Sequence, residues 1–275
     1  MGSHYRAEVS LKYKTEYEDV SIQVEGRADG IFTEDGQCWI DEIKGVYADV
    51  SQLEKPVEVH RAQAMCYAWI YAQEQKPEKI GVQMTYGNLD TEELKFFREE
   101  YTLEELGLWY QKLLDRYHKW IAYQLAWKKE RNASMSDLEF PFEYREGQRK
   151  IVSGVYHTIS TERQIFVQAP TGVGKTMSTI FPAVRAVGAG LGENIFYLTA
   201  KTITRTVAEE AFSILKEHGL KFKVITITAK EKLCFCDKTE CNPENCLWAR
   251  GHLDRVNDAV FELWTTQDSY DRDTL

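Results

Sequence analysis

The stretch that most restricts what this chain can become is Ala169-Pro-Thr-Gly-Val-Gly-Lys-Thr176, an A-x-x-x-x-G-K-T phosphate loop. It lies between the apolar run Ile165-Phe166-Val167 and a helical pattern. The order of residue types is the one a phosphate-binding turn requires. A strand delivers the chain to a sheet edge, glycines let backbone N–H groups curl around phosphate oxygens, and a helix begins at the anion. Thr171, Gly172, Val173 and Gly174 read as the cradle, Lys175 as the side chain that reaches the β- and γ-phosphates, and Thr176 as the hydroxyl that holds Mg²⁺. A Gly-rich turn before a helix would account for part of the pattern. Strand, loop, Lys-Thr pair and helix together predict an ATP-type nucleotide site in an α/β fold.

At 275 residues and 43% hydrophobic content, the chain can bury two ordinary domain cores. The formal net charge of -9 gives no global support for nucleic-acid binding, although a local basic groove is compatible with it. No window approaches the apolar length of a membrane span, and the N-terminus lacks the basic-then-apolar pattern of a secretion leader. A cytoplasmic location is therefore expected. Met1-Gly-Ser-His4 resembles a tag remnant, so no chemistry is placed on His4.

From residue 6 to 44 the chain alternates as consecutive strands do, in Ala7–Leu11, Val20–Val24, Ala28–Phe32 and Cys38–Lys44, with Gly26 and Asp35-Gly36 as separators. Asp29 and Glu42 then fall on neighbouring strands of one hairpin. Glu42 and Lys44 are two apart and share a face, with Ile43 turned away. Two carboxylates that hold a divalent cation, beside a lysine that orients water or neutralises charge, are what metal-assisted phosphodiester hydrolysis needs. Charged residues on a solvated strand face can give the same D…E-x-K spacing. The helical segment Val59–Tyr71 adds Gln63 and Tyr67, four apart on one face. His60, three residues before Gln63, reads as a partly solvated helix residue and is set aside.

Taken together, Gly26-Arg-Ala-Asp29, Asp41-Glu-Ile-Lys44 and Gln63-x-x-x-Tyr67 resemble the successive motifs of the RecB-like PD-(D/E)XK nucleases, over roughly residues 5 to 90. The resemblance implies Asp29 and Glu42 as ligands of Mg²⁺ or Mn²⁺, with the Ile43 carbonyl as a further candidate. It also implies Lys44 as the catalytic lysine, and Gln63 and Tyr67 as residues lining the site. Many members carry a metal-binding histidine on a helix ahead of the first strand, for which the stretch before Ala7 leaves little room.

Ile80–Tyr86 predicts another strand. Thr102–Lys129 predicts a long helix whose aromatic stripe reads as core. Polar Asn132–Ser136, followed by Pro141, predicts the domain boundary, with a nuclease-like domain over 1–135. Tyr144–Gln148 opens a helix that leads to the phosphate-loop strand. Lys175–Gly190 is helical, with a bend expected at Pro182. Asn194–Thr199 and Val224–Thr228 predict further strands, the first of them buried.

Four cysteines, Cys234, Cys236, Cys241 and Cys246, crowd one window, while Cys38 and Cys66 stand apart. In a cytosolic protein four such thiolates suit tetrahedral zinc or a cubane iron–sulfur cluster. The paired C-x-x-C knuckles of zinc ribbons are absent. Placed after the phosphate loop, the window resembles the 4Fe-4S insertion of XPD- and DinG-type helicases, with Cys236 the least certain ligand. That resemblance implies further that Arg145 and Gln148 contact adenine through an R-x-x-Q element, and that Thr199–Thr202 touches single-stranded DNA backbone.

The expected architecture is thus α/β: a PD-(D/E)XK nuclease-like domain, then a partial RecA-like P-loop motor lobe over 140–228, then an iron–sulfur segment over 229–275. The expected function is an ATP-dependent DNA helicase, 5′ to 3′ by resemblance, with a metal-dependent nuclease, acting in DNA repair or processing. Its partner is DNA with single-stranded character. No D-E-x-H box precedes Leu275, so the chain reads as the N-terminal part of a larger enzyme and is not expected to hydrolyse ATP alone. The competing readings are a DNA-binding module with a degenerate nuclease fold, and a redox sensor whose cluster gates nucleotide binding.

Overall fold

Asp35 and Gly36, with φ of 53° and 82°, both take left-handed backbone. Two such residues make the hairpin turn whose twist matches that of its strands. They join β2 (Ser21–Glu34) to β3 (Gln37–Val46), in register from Glu34↔Gln37 to Gly30↔Asp41. The computed structural model describes residues 5–200, 202–236 and 238–271, without the side chains of residues 202–204. His4, Lys201 and the Thr202 side chain, and with them half of the expected Thr199–Thr202 motif, lie outside the described residues.

The contacts divide the chain into two compact units, Met1–Ala122 and Tyr123–Leu275. In the first, a five-stranded sheet runs in the order β1-β2-β3-β4-β5, with β1 (Arg6–Glu16), β4 (Lys79–Asn88) and β5 (Leu94–Thr102). Every neighbouring pair is antiparallel except β3 and β4. A parallel pair needs a crossover, and α1 (Glu58–Gln75) supplies it. Ala64, Met65, Ala68 and Ile70 of α1 bury against Ile31, Ile40, Val82 and Met84 of the sheet. The start of α2 (Leu103–Ser136) adds Leu106 to this core, and Tyr110 and Leu114 pack with Ile22.

Three sequence expectations change here. Ser21–Val24 and Ala28–Phe32 belong to one strand, and Gly26 is a point of close approach rather than a separator. A Cβ there would lie 2.5 Å from Tyr67 Oη. The edge strand β5 was not expected. Finally, α2 runs through Asn132–Ser136 instead of breaking, and the division between units falls inside it. Ser134 and Ser136 turn their hydroxyls back to the carbonyls of Arg131 (2.7 Å) and Asn132 (3.1 Å), a pattern that helices accommodate. The guanidinium of Arg185 then takes the carbonyls of Met135 (3.0 Å), Leu138 (3.2 Å) and Ser136 at the helix end.

The second unit is built on helices α3 (Gln148–Ser160), α4 (Lys175–Gly188), α5 (Thr202–Glu217), short α6 (Lys230–Leu233) and α7 (His252–Thr266). Met177, Ile180, Phe181 and Val184 of α4 form its core with Ala208, Phe212 and Leu215 of α5. Pro182 sits inside α4. The expected strands fare differently. Neither Ile165–Val167 nor Asn194–Thr199 is laddered into a sheet, and of Val224–Thr228 only β6 (Val224–Ile225) pairs, in parallel, with β7 (Ser269–Tyr270). Instead of being buried, Phe166 is 95% exposed and Leu198 90%. An extended run without a neighbouring strand leaves its backbone groups to water or side chains, whereas a helix satisfies its own.

Candidate functional site

The β2–β3 ladder ends at Gly30↔Asp41, one residue short of Glu42. The next free donor on β3, the Ile43 N–H, is taken by the Asp29 carboxylate at 2.8 Å. Glu42 and Lys44, alternate residues on β3, meet directly, with Lys44 Nζ donating to Glu42 Oε1 at 2.6 Å, while Ile43 faces away and is half-exposed. Lys44 also donates to Gln63 Oε1 (3.4 Å), and Gln63 Nε2 to Tyr67 Oη (3.3 Å). The fold therefore gathers Asp29, Glu42, Lys44, Gln63 and Tyr67 around the end of one ladder.

Glu42 is 1% exposed, and its second oxygen, Oε2, has no hydrogen-bond partner. Burial raises its pKa; the bond from Lys44 opposes that rise, and the charges of Asp29 and Asp41 add to it. A divalent cation fits an orphaned buried carboxylate oxygen with a second carboxylate near enough to act on its charge. Among the described residues, though, no group of three or more His, Cys, Asp or Glu side chains is arranged to hold a metal. The carboxylates that the site brings together are two, Asp29 and Glu42.

His60, set aside in the sequence, belongs to the same face of α1 as Gln63. Its Nδ1 lies 3.1 Å from Tyr86 Oη, which accepts the Val57 N–H at 2.9 Å. Burial, and then the nearby Lys44 charge, lower its pKa. The i, i+3 spacing to Gln63 was the available signal. Asp41, on the opposite face from Glu42, stood in the Asp41–Lys44 motif but was given no role.

In the second unit, Gly172 and Gly174 take φ of 82° and 78°, and α4 starts at Lys175 with Gly174 as its N-cap. The loop therefore presents the N-terminus of a 14-residue helix. Lys175 Nζ donates to the loop's own carbonyls at Ala169 (2.9 Å) and Pro170 (2.7 Å). Thr171 is exposed, while Val173 and Thr176 are half-buried. The R-x-x-Q element reaches the same loop. Arg145 donates from its guanidinium to the Gly172 carbonyl and from its backbone N–H to Gln148 Oε1 (2.7 Å). Gln148 is buried against Gly174, where a Cβ would stand 2.4 Å from its Nε2. Gly174 is thus required twice, for its positive φ and for the space that Gln148 fills.

The cysteine window draws together without forming a finished ligand set. The Cys236 and Cys246 thiols are hydrogen-bonded, which raises the pKa of Cys236. Backbone N–H groups of Ala249 and Trp248 lower that of Cys246. The Cys236 N–H points at Cys234 Sγ (3.4 Å), and Lys230 pairs with Cys241. Four thiols fit iron or zinc as donor chemistry. As with the carboxylates, no metal-holding group of three is present among the described residues.

Comparison with known proteins bears on the second unit. Residues 145–244 match the DEAD/DEAH box helicase family. The matched segment contains Arg145, Gln148, the whole phosphate loop and three of the four clustered cysteines; the hairpin site lies outside it. No curated protein matches the chain. Among solved structures, the crystal structure of SSO0001 is similar at 22% identity with a TM-score of 0.27, over 37% of this chain and 44% of that one. The chain thus spans less than half of that structure. Among the described residues of the helicase-like segment and the rest of the chain, no helix is long and apolar enough to cross a membrane.

Proposed function

We propose that this chain carries part of the motor of an ATP-dependent DNA helicase of the XPD/DinG type, acting 5′ to 3′ in DNA repair or processing in the cytoplasm, together with a metal-dependent nuclease domain. The observation that carries the reading is the contact of Arg145 and Gln148 with both glycines of a phosphate loop, inside the segment that matches the helicase family. Gly172 and Gly174 open the loop's N–H groups to phosphate. Lys175, now bonded to the carbonyls of Ala169 and Pro170, would serve the β- and γ-phosphates, and Thr176 would hold Mg²⁺. Arg145 and Gln148, already on the loop, are the residues that would recognise adenine.

In the first unit, Asp29 and Glu42 would hold Mg²⁺ or Mn²⁺, which would supply charge neutralisation and a more acidic water. Lys44, released from Glu42 Oε1, stabilises charge on the scissile phosphate, while Gln63 and Tyr67 hold Lys44 in place. Cys234, Cys236, Cys241 and Cys246 are proposed to carry a 4Fe-4S cluster, and DNA with single-stranded character is the proposed substrate. That the carboxylate donors number two favours a second reading, in which the first unit grips DNA without cutting it.

The test is fluorescent ATP-analogue binding. Wild type should bind in Mg²⁺, and Lys175→Ala should lose binding by at least about a hundredfold, the order of loss when a charged partner of buried phosphate is removed. Equal affinity in the two proteins would rule the nucleotide site out. For the first unit, equal Mn²⁺ affinity by calorimetry in wild type and Asp29→Ala would leave the DNA-gripping reading.

A further inference from the structure

Asp41 precedes Glu42 on β3 and faces the opposite side of the sheet. It is 5% exposed, and its carboxylate accepts three side-chain hydrogen bonds. Thr85 Oγ1 (2.6 Å) and Gln83 Nε2 (3.0 Å) donate to Oδ1, and Tyr5 Oη (3.1 Å) donates to Oδ2. Gln83 Oε1 in turn accepts from Arg98 Nε at 2.6 Å, and the Arg98 guanidinium lies 4.9 Å from the Trp39 ring centroid. The network is roofed by rings. Tyr5 stacks on Phe32 at 16° and Phe32 on Trp39 at 13°. Two glycines give the rings room, since a Cβ on Gly30 would fall 1.9 Å from Tyr5 Oη and one on Gly81 would fall 2.2 Å from the Trp39 ring.

The position of this network matters because of where the ladder stops. Asp41 is the last residue of β3 paired on both sides, to Gly30 of β2 and to Gln83 of β4. From Glu42 onward β3 keeps only its β4 neighbour, and the Ile43 N–H depends on the Asp29 carboxylate. A strand segment with one neighbour can slide or twist, and Glu42 and Lys44 are on it. We infer that Asp41 is a positioning residue for the site on the other face: its bonds to Thr85, Gln83 and Tyr5 clamp β3 at the end of the ladder and so hold Glu42 and Lys44 against Asp29. The catalytic half of this inference rests on the nuclease reading of that site; the structural half does not.

The test uses the full chain with Thr85→Val, which removes the shortest of the three bonds at nearly constant volume, with Asp41→Ala, and with Asp41→Asn, which keeps Oδ1 for Thr85 and Gln83. Two quantities are read: amide exchange at Ile43 relative to the β4–β5 ladder, and Mn²⁺-dependent cleavage of single-stranded DNA. Removal of an outer partner of a metal-ligand set costs about 10- to 100-fold. Thr85→Val and Asp41→Ala should therefore speed Ile43 exchange and lower kcat by about tenfold at unchanged KM, and Asp41→Asn should restore most of both. Should Asp41→Ala fail to fold, Thr85→Val decides. Ile43 exchange that stays at the wild-type rate, or rises only in step with the β4–β5 amides, overturns the inference. A wild type that does not cleave overturns the nuclease reading, while Ile43 exchange still decides the role of Asp41.

Discussion

The two units treat the same kind of sequence signal in opposite ways. In the first, short alternating or apolar runs become strands with partners along their length, and Ile31, Ile40 and Val82 vanish from solvent. In the second, the runs at Ile165–Val167 and Asn194–Thr199 are at least as apolar, yet they stay outside any sheet, with Phe166, Phe196 and Leu198 at 80% exposure or more. The helices that follow them, α4 and α5, fold and pack all the same. Helices carry their own hydrogen bonds and need only a surface for one face. Strands need a second strand, so the identical local pattern yields a core in one unit and an exposed run in the other.

Truncation of buried and exposed apolar residues is the sharpest way to break this contrast. Ile40→Ala, at a fully buried position under α1, should cost about 2–5 kcal/mol in denaturant unfolding of the first unit. A loss below about 1 kcal/mol would mean that the sheet is no better packed than the runs of the second unit.

A smaller and pH-graded effect is expected at Glu42. Its folded-state pKa lies above the ordinary glutamate value of 4.5, so between the two values the native protein binds more protons than the unfolded chain. Stability therefore falls as pH rises from 4.5 through the raised pKa, and levels off above it. Glu42→Gln should flatten that part of the profile in urea midpoints measured across the window. Divalent-cation affinity should run the other way, rising with pH as the proton is displaced. A Glu42→Gln profile that overlays wild type would show that the carboxyl is not the group responsible.

The smallest effect is expected where the contrast is most extreme. Phe166→Ala and Leu198→Ala should each change stability by no more than about 0.5 kcal/mol, the range for exposed substitutions away from special features. Losses of core size in thermal unfolding would show that these runs are buried in solution.

Much of the candidate chemistry could be read before any fold was known. The pairing of Glu42 with Lys44 follows from a strand's period of two, and that of Gln63 with Tyr67 from a helix's period of 3.6. The resemblance implied only that Arg145 and Gln148 contact adenine; their approach to Gly172 and Gly174 came from the fold, since 24 residues or more separate them and no local period spans that gap. His60 was within reach of the same reasoning as Gln63 but looked like an ordinary helix residue until Tyr86 and Lys44 were found beside it. The role of Asp41 was invisible, because its three partners come from residue 5 and from β4.

By itself the sequence determined the phosphate loop, the Asp35-Gly36 turn, the helices α1, α3 and α4 and the residues that share a face, since each depends on torsions and spacings within one segment. Tertiary structure alone decided which strands found partners, that Gly26 makes room for Tyr67, that α2 continues through its polar end under the cap of Arg185, and that Asp41 is clamped behind Glu42. These depend on groups far apart in the chain meeting within hydrogen-bond or van der Waals distance, and no local pattern specifies which distant group will arrive.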